Sequence, residues 1–161
     1  MRGSCTCGAT SFEMTRDPIV THACHCTWCQ RENGSAFALH AYVETSAVEL
    51  LSGKIEEQIL PTNSGLGQIV ARCAHCGTTL WSHFANSGRA LAFVRVGTFD
   101  EPGAYPPDIH IFVESKQPWV VLPDDARAFK GFYEPKYEWS AEALARFVRA
   151  KIDAAHDGAA A

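Results

Sequence analysis

Apolar and polar residues alternate with a period of two along much of the chain. The stretches 9–14 (ATSFEM), 36–44 (AFALHAYVE), 68–73 (QIVARC), 78–84 (TTLWSHF), 91–99 (LAFVRVGTF) and 109–115 (IHIFVES) read as strands. Residues 48–60 read as two strands around a turn at Ser52-Gly53. Short strands at roughly regular spacing, separated by Gly, Pro and Asn, predict a mainly β fold of short antiparallel strands. The segment 101–108 (EPGAYPPD) is expected to be a loop, because its prolines lack donors and restrict their neighbours. The period changes only near the end. Ser140 suits a helix N-cap, Glu142 falls in the first turn, and Leu144, Phe147, Val148 and Ile152 share one face. A shorter helical turn is expected after Asp124-Asp125, near Arg127, and the closing HDGAAA reads as a frayed tail.

Composition adjusts this picture. A chain of 161 residues, 47% hydrophobic, forms one domain and can bury a core of its own. The net charge of −4 is the wrong sign for a nucleic-acid binder. No apolar run has the length of a membrane span and no secretion leader is visible, so a soluble, cytoplasmic protein is expected. Trp28, Trp81, Trp119 and Phe112 read as core or pocket walls rather than as a base-stacking platform.

Cysteine changes the picture most. Seven are present, in three tight groups: Cys5 and Cys7, then Cys24, Cys26 and Cys29, then Cys73 and Cys76. In a reducing compartment such a set reads as metal-binding or catalytic, and Cys-x-Cys pairs close too short a loop for an ordinary disulfide. A structural zinc takes four ligands tetrahedrally, often from Cys-x2-Cys turns, and two pairs close one such site. Cys24, Cys26 and Cys29 can face one metal together, leaving a fourth position for water or a soft ligand such as a thiol, as at a catalytic zinc. Three other arrangements fit the same residues. One is a single structural site with three spare cysteines. Another is a second site completed by His22, His25, His40, His83 or His110. The last is an iron–sulfur cluster, although the spacings match neither ferredoxin run.

The blocks GSCTCGATSFEM, CHCTWCQRENGSAFA and CAHCGTTLW resemble the signature blocks of the glutathione-dependent formaldehyde-activating enzyme family, which also includes the centromere protein V group. DIHIFVESKQPW and LPDDARAFKGFY are similar to later blocks, so the resemblance covers about residues 3–133. It implies an Mss4-like zinc-binding β fold over 3–133, with 134–155 as a C-terminal helical extension and 156–161 as a flexible tail. It also implies that Cys5, Cys7, Cys73 and Cys76 hold a structural zinc, and that Cys24, Cys26 and Cys29 hold a second, catalytic and more labile one. The implied activity is that of a carbon–sulfur lyase, an S-(hydroxymethyl)glutathione synthase. Its partners are small molecules, glutathione as the thiol co-substrate and formaldehyde or a related aldehyde. Arg31, Arg72, Arg95 and Lys116 are candidates to pair with the carboxylates of glutathione, and His110 is the first polar group to test. A non-catalytic zinc module, for thiol or zinc sensing or for protein interaction, is the alternative reading. Its chromatin-associated form would carry a basic extension, which this chain lacks.

Overall fold

A computed structural model of the chain describes residues 1–62 and 64–159. It is mainly β. Ten strands are present among the described residues: β1 (Arg2–Ser4), β2 (Ser11–Met14), β3 (Val20–Cys24), β4 (Ala38–Glu44), β5 (Val48–Ser52), β6 (Ile55–Leu60), β7 (Gln68–Cys73), β8 (Thr79–Phe84), β9 (Leu91–Arg95) and β10 (Ile109–Ile111). Three α-helices join them: α1 (Thr27–Asn33), α2 (Pro135–Glu138) and α3 (Ala141–Ala159). A three-stranded sheet runs β1-β2-β5, and a seven-stranded sheet runs β10-β3-β4-β9-β8-β7-β6. Every pairing of these strands is antiparallel except β10 with β3.

The large sheet is buried on both faces at its centre, and the side-chain alternation shows how. Along β4, Ala41 and Val43 enter one core with Phe12, Met14, Leu80, Val94 and Phe99. Ala38 and Tyr42 enter a second core with Phe93, Ile109, Ile111, Tyr133 and Ala150. β9 divides in the same way, Ala92 and Val94 to the first core, Leu91 and Phe93 to the second. The first core lies against the small sheet, and the second lies under the C-terminal segment. Each cysteine group is built into one of them: Cys5 and Cys73 into the first, Cys24 and Cys29 into the second.

Several expectations change in detail. β5 and β6 do not form a hairpin, because β5 pairs with β2 while β6 pairs with β7. The chain crosses between sheets at Gly53, whose φ is 83° and where a Cβ would stand 2.3 Å from Ala9 O, so only glycine passes. The turn expected after Asp124-Asp125 is not a helix. The chain there runs extended beside β10, with His110 N donating to Arg127 O (2.8 Å) and Phe129 N to His110 O (2.9 Å). Helix forms later, where Pro135 opens α2. The 101–108 segment holds only a 3-10 turn, Pro102–Ala104.

α3 begins as expected, with Ser140 Oγ accepting from Ala143 N at 3.1 Å. Its inward face differs from the expected one. Ala143, Phe147, Ala150 and Ala154 pack inward, while Val148 and Ile152 are 52% and 46% exposed. Small alanines let the helix backbone approach the sheet, and Arg146 then grips Glu44 through Nε (2.9 Å) and Nη2 (2.6 Å). Helix continues through residues 156–159 of the expected tail, and residues 160 and 161 lie outside the described residues. No helix among the described residues is long and apolar enough to cross a membrane.

Candidate metal centre

Two matched turns build the first cysteine group. Cys5 N donates to Thr10 O and Cys73 N to Thr78 O, both at 2.9 Å, and Gly8 and Gly77 return to Cys5 O (3.0 Å) and Cys73 O (2.9 Å). Both glycines have φ 73°, a left-handed conformation that costs a side-chain-bearing residue about 1 kcal/mol or more. Thr78 Oγ1 joins the turns, accepting from Thr6 N at 3.3 Å and lying 3.1 Å from the Thr6 hydroxyl. The four sulfurs of Cys5, Cys7, Cys73 and Cys76 lie within 4.8 Å of one another, with Cys5–Cys7 at 3.4 Å and Cys7–Cys73 at 4.0 Å. A tetrahedral zinc with bonds near 2.3 Å requires S···S edges of about 3.8 Å, so the set fits with little movement.

Donors surround these sulfurs. Thr10 N reaches Cys5 (3.3 Å), Thr10 Oγ1 and His75 N reach Cys73 (3.2 and 3.4 Å), and Thr78 Oγ1 lies 3.1 Å from Cys76. The Thr78 hydroxyl and amide hold the Cys76 thiol down to about 5. Burial alone would raise Cys5, but the Thr10 amide and the neighbouring thiols bring it below its usual value. Cys7 receives the Ala9 amide, yet its sulfur neighbours push it up to about 12. Four thiolates this close cannot coexist without a cation; protons or a metal must hold them together.

The second group gathers where β3 meets α1. Cys24 ends β3, locked between Ala38 of β4 and Ile111 of β10. Cys26 is the N-cap of α1, its sulfur accepting from Cys29 N at 3.3 Å, and Cys29 sits in the first turn. This helix was not expected from the sequence; a cysteine fills the position where Ser, Thr, Asp or Asn usually signals a start. The three sulfurs lie within 4.8 Å of one another, Cys24 and Cys29 buried and Cys26 half-buried. Hydrogen bonds from the Cys24 and Cys29 thiols, with the Cys29 and Trp28 amides behind them, hold Cys26 down to about 2. Its two partners move the other way: Cys24 is pushed up to about 12 by Cys26, and Cys29 is raised by both neighbours and by burial. One thiolate flanked by two thiols is a site that exchanges two protons for a divalent cation.

Among the described residues no histidine, aspartate or glutamate joins either group. His22 is bonded to Tyr133 Oη, His83 Nδ1 to Leu91 O (2.8 Å), and His25 Nε2 to His110 Nδ1 (3.0 Å). His40 is packed among Tyr42, Phe84 and Phe93. His25 belongs instead to the frame of the second group. Its carbonyl accepts from Gln30 Nε2 (2.7 Å) and Ser115 Oγ (3.0 Å), and Gln117 Nε2 fixes Gln30 Oε1 at 2.6 Å. Phe112, the one non-glycine residue among those described with positive φ (56°), turns the chain from β10 into this network.

The candidate clamps are not equivalent. Arg95 and Arg72 both face Glu32, at 2.6 and 3.6 Å. Lys116 Nζ donates to Gln117 O and Val120 O. Arg31 is exposed in the last turn of α1. Sequence reasoning overlooked Glu32, since a lone carboxylate on a short helix reads as a solvated residue; here its side chain is 9% exposed. A cavity of about 350 Å³ opens beside these groups, walled by Asn33, Phe37, Ala38, Arg95 and Gly97. Ala38 is the cross-strand neighbour of Cys24, and Phe37 packs against His25 at 5.2 Å between ring centroids.

Fold and clusters together define a β domain with two cysteine centres, one of four sulfurs and one of three, each able to hold a metal ion. The family model of the glutathione-dependent formaldehyde-activating enzyme matches residues 1–115, and the chain belongs to that family. A provisionally named glutathione-dependent formaldehyde-activating enzyme of Penicillium rubens is 28% identical over 115 residues, covering 69% of this chain and 59% of that protein. One of Emericella nidulans with the same name is 28% identical over 96 residues, covering 57% of this chain and 48% of that protein. The chain therefore spans about half to three-fifths of the length of these relatives. A Rhodobacter sphaeroides protein of known crystal structure superposes with a TM-score of 0.47 at 20% identity, over 62% of this chain and 88% of that one.

Proposed function

We propose that the chain is a zinc-dependent carbon–sulfur lyase of the S-(hydroxymethyl)glutathione synthase type, joining glutathione to formaldehyde or a related small aldehyde. The observation that carries this reading is the convergence of Cys24, Cys26 and Cys29 without a fourth protein ligand among the described residues. In this reading Cys5, Cys7, Cys73 and Cys76 hold a structural zinc, and Cys24, Cys26 and Cys29 a second, more labile one. Bound there, zinc supplies a Lewis acid that favours an incoming thiol as its thiolate.

The chain's own residues do the rest. Buried Cys24 and Cys29 anchor the site to β3 and α1, while half-buried Cys26 marks the side open to solvent. In this reading the body of the thiol lies along the open hollow beside Ala38 and Phe37, which borders the site without being lined by its cysteines. In the reaction the sulfur–hydrogen bond breaks, a carbon–sulfur bond forms to the aldehyde carbon, and the proton passes to the aldehyde oxygen. Reduced thiols of this kind suit a cytoplasmic location.

The test is zinc content with and without glutathione, joined to an NMR exchange assay of glutathione with formaldehyde. Two zincs, a thiol-dependent loss of one, and accelerated exchange are expected. Two equally inert zincs and no acceleration would remove the activity; thiol-dependent zinc loss without acceleration would leave a sensing role.

A further inference from the structure

Among the described residues the most deeply buried ion pair is Glu32–Arg95, 2.6 Å apart, with 9% and 7% of the side chains exposed. Glu32 stands one turn beyond Cys29 on α1. Its carboxylate accepts from Asn33 Nδ2 at 3.2 Å, and the same amide donates to Cys29 O at 2.8 Å. On its other side the carboxylate lies 3.6 Å from Arg72 Nη2 and accepts from the Thr79 hydroxyl at 3.5 Å. Arg72 directly precedes Cys73 and donates through Nη1 to Gly77 O at 3.3 Å, inside the turn that carries Cys73 and Cys76. One carboxylate thus has a polar path to each cysteine centre.

Charge is concentrated along this path. Three thiolates with a divalent ion carry −1 and four carry −2. Between them stand Glu32 and Arg72, negative and positive, and Arg95 flanks Glu32 with a second positive charge. Removing the middle charge leaves two guanidinium groups facing each other at partly dry positions, which forces the helix or the strand to move.

We infer that Glu32 is a positioning residue that couples the two centres, holding Cys29 in register with the four-cysteine turn so that the three-cysteine centre holds its metal more tightly while Glu32 and Arg72 are paired. This rests on the reading that Cys24, Cys26 and Cys29 hold a zinc. The fold supplies its own control. Glu44 is equally buried and equally well paired, with Arg146 at 2.6 Å and Arg16 at 3.1 Å, but it clamps α3 rather than either cysteine centre.

The experiment loads the full chain with zinc and monitors release to a chromogenic chelator, alongside thermal unfolding. Glu32→Gln releases the weaker zinc about tenfold faster, the low end of the range for losing a partner that orients metal ligands. Arg72→Met accelerates the same phase although Arg72 adjoins the other centre, and the double variant adds little to either single one. Glu44→Gln lowers the melting temperature and leaves release unchanged. If Glu32→Gln does not fold, the half-buried Arg72 carries the comparison alone. Release from the Glu32 and Arg72 variants at the Glu44→Gln rate overturns the coupling. A single zinc in the wild-type chain overturns the metal reading itself, and the coupling with it.

Discussion

Replacing Cys26 by serine separates the two centres most sharply. Cys26 is half-buried, and its sulfur does two things: it caps α1 by accepting from Cys29 N, and it faces Cys24 and Cys29. Serine keeps the first role, since hydroxyl caps are among the best, so the change in helix stability stays within about 1 kcal/mol. It ends the second, because an alcohol is far too weak an acid to replace a thiolate. Cys73→Ser is the contrasting change. Cys73 is 2% exposed, sits in the first core and receives Thr10 Oγ1 and His75 N. Structural zinc contributes about 10–16 kcal/mol of apparent folding energy in small zinc domains, so losing even about 3 kcal/mol is a conservative expectation for a broken four-sulfur site. At about 2–4 °C per kcal/mol for a chain of this size, that lowers the melting temperature by about 6–12 °C. Metal analysis after gel filtration should then read two zincs in the wild type and one in Cys26→Ser, with a melting temperature close to that of a wild-type sample stripped of its weaker zinc. Cys26→Ser losing both metals, or melting with the depression of Cys73→Ser, would refute the division into a scaffold centre and a separable one.

Three further outcomes rest on the same geometry. Zinc entering the three-cysteine centre at neutral pH should release about two protons, because Cys24 and Cys29 hold theirs while Cys26 does not; calorimetry in buffers of different ionisation enthalpy counts them, and a value near zero or three contradicts the assignment. Glu44→Gln should cost about 1–3 kcal/mol by leaving the partly exposed Arg146 without its bidentate partner, read as a shift in urea midpoint, and no shift means α3 is held by packing alone. Burial, reinforced by Arg127, lowers His22 to about 3, and burial, reinforced by His110 and Lys116, lowers His25 to about 4. The unfolded chain takes up these protons near pH 6.5 and the folded one does not, so stability is full above that value and falls as the pH drops toward 4. NMR titration should show both rings neutral at pH 5, and ordinary titration near 6.5 counts against their burial.

Legible in the sequence was whatever one residue type signals locally. The seven cysteines carry their grouping in their spacing, and the strands at 68–73 and 78–84 carry theirs in their residue pattern, while the stretch 91–99 holds a strand only to Arg95 and then a 3-10 turn over Val96–Thr98. β3 escaped notice because VTHAC places the polar Thr21 and His22 at buried positions, held by distant residues: the Thr21 backbone amide donates to the Asp108 carboxylate at 2.7 Å and His22 Nε2 meets Tyr133 Oη. The divergence of β5 and β6 depends on which sheet each finds, and the Ser52-Gly53 turn looks the same either way. The helix α1 was hidden because its cap is a metal-binding residue type. Glu32 was hidden because its partners Arg72 and Arg95 lie 40 and more positions away. The inward face of α3 was misjudged because alanines, not the larger residues, set how closely it docks.

The division of β4 between two cores has a practical consequence for redesign. Ala38, His40 and Tyr42 look toward the three-cysteine side, while Leu39, Ala41 and Val43 look toward the four-cysteine side. A library that varies only 38, 40 and 42 therefore alters the chamber around Cys24 and Cys29 while the opposite chamber, around Cys5 and Cys73, keeps every wall it had. The strand serves as a partition, and side chains can be exchanged on one side of it without repacking the other.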